Sequence, residues 1–157
     1  MYKVAVLLST YNGEKFINDQ LISLKKQKKV KLKLFAIDDG SIDNTTKIIK
    51  KFNISKTLFK SQGYKNPVKN FLFLIDKVPK NYDFYCFSDQ DDSWISNKLF
   101  YSITKLVKFN ADVCGSRAYY TNKKLKVIGK SKLFIKKPCI ENSLVQSITG
   151  GNTQVWT

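Results

Sequence analysis

Phe84-Tyr85-Cys86-Phe87-Ser88-Asp89-Gln90-Asp91-Asp92 passes directly from an apolar run into an acidic cluster. The run at 84–88 reads as a short strand buried in a sheet, ending at Asp89. Three carboxylates in four residues repel one another unless a cation or a solvent-rich setting compensates. An isolated acidic turn often does no more than cap a following helix. Here the strand in front of it puts the cluster at a strand end, where open α/β sheets bind ligands.

The same passage from apolar strand to polar turn occurs twice upstream. Residues 4–8 form a continuous apolar run followed by Ser9-Thr10-Tyr11-Asn12-Gly13-Glu14. Residues 32–37 lead into Asp38-Asp39-Gly40-Ser41. Helical spacing fills the intervals. Gly13-Glu14 opens a helix with Ile17, Leu21 and Leu24 on one face. Asp43 caps a second, carrying Ile48, Ile49 and Phe52. A brief strand at 57–60 precedes Pro67, which suits the first position of a helix with Phe71, Leu72, Leu74 and Ile75. A helix follows over 98–109, then a fifth strand over 113–119, with 124–128 pairing in a hairpin. The tail at 148–157 reads as a loop entering another strand. Strand and helix in alternation imply a mostly parallel central sheet with helices on both faces. Three polar segments at three carboxyl ends should therefore meet on one edge.

Bulk composition removes several classes of chemistry. The chain has 157 residues, 43% of them hydrophobic, which suits one domain with one core. No apolar run is long enough to span a bilayer, and the start is too short for a signal peptide. A cytoplasmic chain is expected. Three widely spaced cysteines argue against a disulfide framework. Histidine is absent, so a Ser-His-Asp triad and a histidine-ligated zinc site are excluded. The formal charge of +16 invites a nucleic-acid reading. Against it, Arg117 is the only arginine and the lysines are spread along the chain. No nucleic-acid partner is expected. Attraction to an anionic lipid surface, at the inner face of the cytoplasmic membrane, fits the charge as peripheral association.

Each polar segment suits part of one ligand. The oxygen donors of Asp89-Gln90-Asp91-Asp92 suit Mg2+ or Mn2+, which take substrate phosphates as further ligands. A carboxylate in Asp38-Asp39-Gly40-Ser41 can accept from a uracil or thymine imide or a ribose hydroxyl. Ser9-Thr10-Tyr11-Asn12-Gly13 offers hydroxyls, an aromatic face and a helix start, but no Gly-Lys-Ser/Thr of a phosphate loop follows.

Taken together, 4–13, 37–45 and 87–94 with Lys98-Leu99 resemble the family 2 glycosyltransferases, which have the GT-A fold. The tail Gly150-Gly151-Asn152-Thr153-Gln154-Val155 resembles that of bacterial rhamnosyltransferase-like members. The resemblance implies a Rossmann-like nucleotide-sugar-binding fold. It implies inverting transfer of a sugar from a dTDP- or UDP-linked donor to a saccharide or lipid-linked acceptor in surface polysaccharide synthesis. Rhamnose is the candidate sugar. Thr10, Tyr11, Asn12, Asp39, Asn70, Asp89 and Asp91 would bind the nucleotide sugar, and Asp91 or Asp92 the metal. Gly150, Gly151 and Asn152 would lie near the sugar or the acceptor. The match for Asn70, with Asn66 and Lys69, is loose.

Inversion needs a general base, which the resemblance puts in a later segment with no match before Thr157. Glu141, the only acidic residue after Asp112, reads better as a first-turn helix residue. No catalytic base is assigned. The expected organisation is one domain over 1–157, incomplete at its C-terminus. Residues 1–110 would bind nucleotide and 111–157 would begin the acceptor-binding part. Two other readings stand beside this one: an inactive truncated nucleotide-binding fragment and, more remotely, a basic nucleic-acid-binding domain.

Overall fold

In a computed structural model, strand β1 (Tyr2–Thr10) lies in the middle of the sheet and alternates cleanly between its two faces. Residues 1–61, 63–135, 139, 141–142 and 147–157 are described. Val4, Val6 and Leu8 enter one apolar cluster, while Ala5 and Leu7 enter another on the opposite side. Strand β2 (Val30–Asp38) divides likewise, with Leu34 and Ala36 on the first side and Phe35 and Ile37 on the second. Residues 4–8 of β1 and 34–37 of β2 are continuously apolar because both faces are covered there.

Three helices cover the first face. Helix α1 (Ile17–Lys25) brings Ile17, Leu21 and Leu24, and α2 (Thr45–Lys51) brings Ile49. Helix α4 (Lys98–Phe109) adds Leu99, Ile103 and Leu106 at the spacing of one helical stripe. Helix α3 (Pro67–Lys77) covers the other face through Leu74. The architecture is α/β with helices on both faces, as the alternating pattern implies.

Strand β3 (Lys56–Lys60) and strand β4 (Phe84–Ser88) complete a parallel block in the order β3-β2-β1-β4. The register fixes where the strands end. Thr10 lies beside Asp38, Asp38 beside Lys60, and Leu8 beside Ser88. The polar segments after β1, β2 and β4 therefore emerge on one edge, as expected.

The chain departs from expectation in two places. Helix α1 starts at Ile17, because Gly13 O accepts from the amides of Phe16 and Ile17 in a preceding turn. The fifth strand does not continue to residue 119. It stops as β5 (Val113–Cys114), and β6 (Tyr119–Thr121) pairs with β7 (Val127–Lys130) in a separate two-stranded sheet. The missing neighbour comes from the tail. Strand β8 (Val155–Trp156) inserts between β4 and β5 and runs antiparallel to both. Glu141 and Asn142 have helical backbone, while 143–146 lie outside the described residues. Among the described residues, no helix is long and apolar enough to cross a membrane.

Candidate functional site

At the carboxyl edge of β1, β2 and β4 lies a cavity of about 480 Å³. The end of β1 contributes Ser9, Thr10 and Tyr11, and the turn after β2 contributes Asp39. The entry to α3 gives Lys65 and Pro67, with Asn70 and Phe71 behind them. Asp89, Gln90 and Asp91 close the side beyond β4. Asp39 and Asp91, distant in sequence, thus face one space.

The two adjacent aspartates after β2 take different roles. Asp38 is occupied by the fold. Thr10 Oγ1 donates to it at 2.8 Å, Ser41 N at 2.8 Å and Ser41 Oγ at 2.6 Å. Gly40, at φ +88°, lets the chain turn tightly enough for these bonds. Asp39 faces the cavity. Ser61 Oγ donates to its Oδ1 at 2.7 Å, and the Asn66 amide to its Oδ2 at 3.1 Å. Desolvation is the largest single influence on Asp39 and favours the neutral acid. Hydrogen bonds from the Ser61 and Asn70 side chains and the Lys65 and Asn66 backbones outweigh it, holding the carboxyl below its ordinary value. At neutral pH Asp39 is an ionised acceptor lining the cavity.

Asn66 serves this arrangement twice. Besides its amide bond to Asp39, its side chain accepts from Val68 N at 2.9 Å and Lys69 N at 3.2 Å, capping α3 ahead of Pro67. Asn66→Ala should lower unfolding stability by about 1 kcal/mol, read as a shift in the urea midpoint. An unchanged midpoint would show that Pro67 alone sets the helix start.

Gln90 joins the first and third segments. Its Oε1 accepts from Tyr11 N at 2.9 Å, and its Nε2 donates to Tyr11 O at 3.0 Å. A Cβ at Gly13 would collide with the Gln90 side-chain amide, so a larger residue there would push Gln90 off Tyr11. Asn12 holds the first segment to the second. Its amide donates to Ser41 Oγ at 2.8 Å and its Oδ1 accepts from Ile42 N at 3.0 Å. Asn12 does not line the cavity.

The carboxylates after β4 also differ. Asp91 is exposed at the cavity. Burial, then the charges of Asp92 and Asp91, push the Asp89 carboxyl upward. Asp92 is pushed upward chiefly by burial, and it accepts from Asn152 Nδ2 at 2.5 Å. Asp92, Gly150, Gly151 and Asn152 do not line the cavity; they form a cluster next to it. Lys98 lies in the same cluster. Burial lowers its ammonium to about 8, against the opposing influences of Cys86, Asp92 and Asp89. Cys86 is fully enclosed and burial raises its thiol to about 12, so it is no nucleophile.

Of the residues singled out in the sequence, Thr10, Tyr11, Asp39, Asn70, Asp89 and Asp91 share the cavity. Sequence reasoning gave no role to Gln90, Lys65 or Phe71. Gln90 had a signal, since a neutral amide between acidic neighbours can reach across to backbone. Lys65 and Phe71 had none, because their place depends on how β3 delivers the chain to α3. Among the described residues, no group of three or more acidic or thiol side chains forms a ready-made metal cage.

The family model described as "Glycosyl transferase family 2" matches residues 5–154. A dTDP-rhamnosyl transferase of Shigella flexneri, RfbG, is 38% identical over 133 residues, covering 80% of this chain and 46% of that protein. An Escherichia coli UDP-Glc:alpha-D-GlcNAc-diphosphoundecaprenol beta-1,3-glucosyltransferase, WfgD, is 30% identical over 109 residues, covering 69% of this chain and 43% of that protein. The chain spans about half the length of the curated relatives it matches. Among solved structures, Staphylococcus aureus TarS 1-349 superposes on 98% of this chain and 46% of its own, with TM-score 0.73 and 21% identity. Its complex with UDP aligns over 71% of this chain and 34% of its own, with TM-score 0.64 and 27% identity.

Proposed function

This chain belongs to glycosyl transferase family 2, and we propose that it binds a dTDP- or UDP-linked sugar in the cavity beyond β1, β2 and β4 for transfer to a saccharide or lipid-linked acceptor. The observation that carries this reading is the meeting of Asp39 and Asp91 on one cavity. Asp39, ionised and held by Ser61 Oγ and the Asn66 amide, would accept from the base imide or ribose. Thr10 and Tyr11 would line the nucleoside end, and Asn70 the wall beside it. Related proteins support the ligand class: RfbG is a dTDP-rhamnosyl transferase, and TarS crystallises with UDP.

The donor set fits Mg2+ or Mn2+. Asp89 and Asp91 supply oxygen ligands on the cavity side, and the small number of carboxylates suits an ion completed by water and substrate phosphates. Asp91 is the better placed ligand, because Asp92 is already bonded to Asn152. When bound, the metal would neutralise the diphosphate leaving group. The chain's own residues would hold the base, and the Gln90–Tyr11 bonds would keep the two ends of the site at a fixed distance. Residues 1–110 would form the nucleotide-binding part and 111–157 would begin the acceptor side. Transfer would invert the anomeric carbon, and no residue of 1–157 is assigned as its general base.

Titration calorimetry of the chain with UDP and dTDP, with Mn2+ and with EDTA, tests the reading. Metal-dependent nucleotide binding is expected, and no binding of either nucleotide would refute it. Transfer from a radiolabelled nucleotide sugar separates an active enzyme from the second reading, a binding-only fragment.

The β6–β7 hairpin suggests where a lipid-linked acceptor would be met. Tyr119, Tyr120, Leu125 and Ile128 are all more than half exposed, interleaved with exposed Lys123, Lys124 and Lys126. Aromatic and aliphatic side chains among lysines suit an anionic membrane surface. Replacing those three lysines with glutamine should weaken binding to phosphatidylserine-containing vesicles by about 3 kcal/mol in a sedimentation assay. Unchanged binding would exclude the hairpin as the contact.

A further inference from the structure

The cavity beyond β1, β2 and β4 holds a strained cation that the nucleotide reading leaves unused. Among the described residues, five other than glycine have positive φ: Asn12, Lys29, Lys65, Asn110 and Leu125. Of these, Lys65 at φ +47° is the one that lines the cavity. Asparagine tolerates the left-handed region through its short polar side chain, but lysine gains nothing locally from it. Strain of this kind persists where the surroundings over-determine it, and it collects at ligand sites.

Asp39 holds Lys65 in this conformation. The main-chain amides of Lys65 and Asn66 both donate to the Asp39 carboxylate, that of Asn66 at 3.1 Å. Successive amides converge in this way around a residue in the left-handed region. The Asn66 side chain then caps α3, so the chain beyond Lys65 is fixed as well. The backbone of Lys65 is thus committed to Asp39, and its side chain is left on the cavity wall. Lys65 is the one cation among the residues lining that wall, beside the carboxylates of Asp39, Asp89 and Asp91. Its ammonium has no carboxylate partner among the described residues, whose one ion pair joins Lys77 to Asp76. The amide bond to Asp39 places Lys65 at the same end of the cavity as Asp39, away from the turn that would meet metal and diphosphate.

We propose that Lys65 determines which base the cavity accepts, its ammonium donating to the C4 carbonyl of a uracil or thymine whose N3–H is accepted by Asp39. This rests on the nucleotide-sugar reading given above. Uracil and thymine present an N3–H donor next to a C4 carbonyl acceptor. An ionised carboxylate next to an ammonium matches that order. Cytosine presents the reverse, an N3 acceptor next to a C4 amino donor, and would set like against like at both positions. A site built for one pattern rejects the other because its own polar groups are then left unpaired.

The test is calorimetry in excess Mn2+ with UDP and CDP, together with displacement of UDP by uridine, which carries no phosphate. The wild-type chain should bind UDP at least about tenfold tighter than CDP. Lys65→Met should weaken UDP and uridine alike, each about tenfold, and leave CDP within about twofold, so that the preference collapses. Equal losses for UDP and CDP with uridine spared would put the ammonium on the phosphates and overturn the assignment. So would a wild-type chain that holds CDP as tightly as UDP, or one from which uridine does not displace UDP. Should Lys65→Met fail to fold, Lys65→Gly is the second variant, because glycine adopts this φ without strain. It should show the same collapse; a retained preference for UDP overturns the proposal. A wild-type chain that binds neither UDP nor dTDP overturns the nucleotide reading itself. Wild-type UDP binding that neither variant weakens overturns only the role of Lys65.

Discussion

Asp39→Asn should weaken binding of UDP or dTDP by about 10- to 100-fold, the equivalent of losing one charge-assisted hydrogen bond. The carboxylate is 7% exposed, so its remaining acceptor capacity is directed at the cavity rather than at bulk water. Asparagine keeps the shape but has only one acceptor oxygen. Its amino group would replace either Oδ1, facing Ser61 Oγ, or Oδ2, facing the Asn66 amide. In the second case a backbone donor loses its acceptor, at a cost of about 1–3 kcal/mol. Binding should therefore be measured by calorimetry at low temperature, with circular dichroism confirming the fold. Wild-type affinity in a folded Asp39→Asn chain would remove Asp39 from the site.

The pH dependence carries a definite sign. The folded state depresses the Asp39 pKa below its ordinary value, so the folded chain binds that proton less readily than the unfolded chain. Its contribution to stability is complete above the ordinary carboxylate range, about pH 4, and is lost as pH falls through the lower folded value. Nucleotide binding through Asp39 should accordingly stay level from neutral pH down to about 5. A decline with a midpoint near neutrality would have to come from another group.

Much of this was legible in the residues because local and tertiary signals agree. Strand β4 and helix α4 fall where the apolar run and the helical stripe place them, since Cys86, Leu99, Ile103 and Leu106 all serve one cluster. The common edge was legible too, because short connections force parallel strands to deliver their turns on one side. The end of β5 was not. Its partner β8 lies far along the chain, and no local pattern marks a two-residue strand. The division of labour between Asp38 and Asp39 was equally hidden from composition, as neighbouring carboxylates look alike until alternation and the Gly40 turn assign one inward and one to the cavity. Lys98 stood out in the sequence only as part of the motif that ends at Lys98-Leu99; its contacts were hidden, since they depend on where Trp94 and Asn152 come to lie.

Asp91→Asn should remove most of the metal-dependent part of nucleotide binding, a loss of at least about 100-fold, because even partners outside the ligand shell cost 10- to 100-fold. The same change should slightly stabilise the metal-free chain. Asp89 is already pushed toward its neutral form by burial and by the charges of Asp92 and Asp91. Removing one neighbouring charge relieves that repulsion by about a few tenths of a kcal/mol at an exposed position. Binding and stability should thus move in opposite directions, as expected where like charges are assembled for a ligand rather than for the fold. Asp92→Asn should behave otherwise. Asp92 bonds to Asn152 and does not line the cavity, so its loss should loosen the tail while sparing Mn2+. Mn2+ titration of both variants, with thermal melts in EDTA, separates the two carboxylates. If Asp91→Asn retains the cation and Asp92→Asn loses it, Asp92 is the ligand, and its bond to Asn152 must open when metal binds.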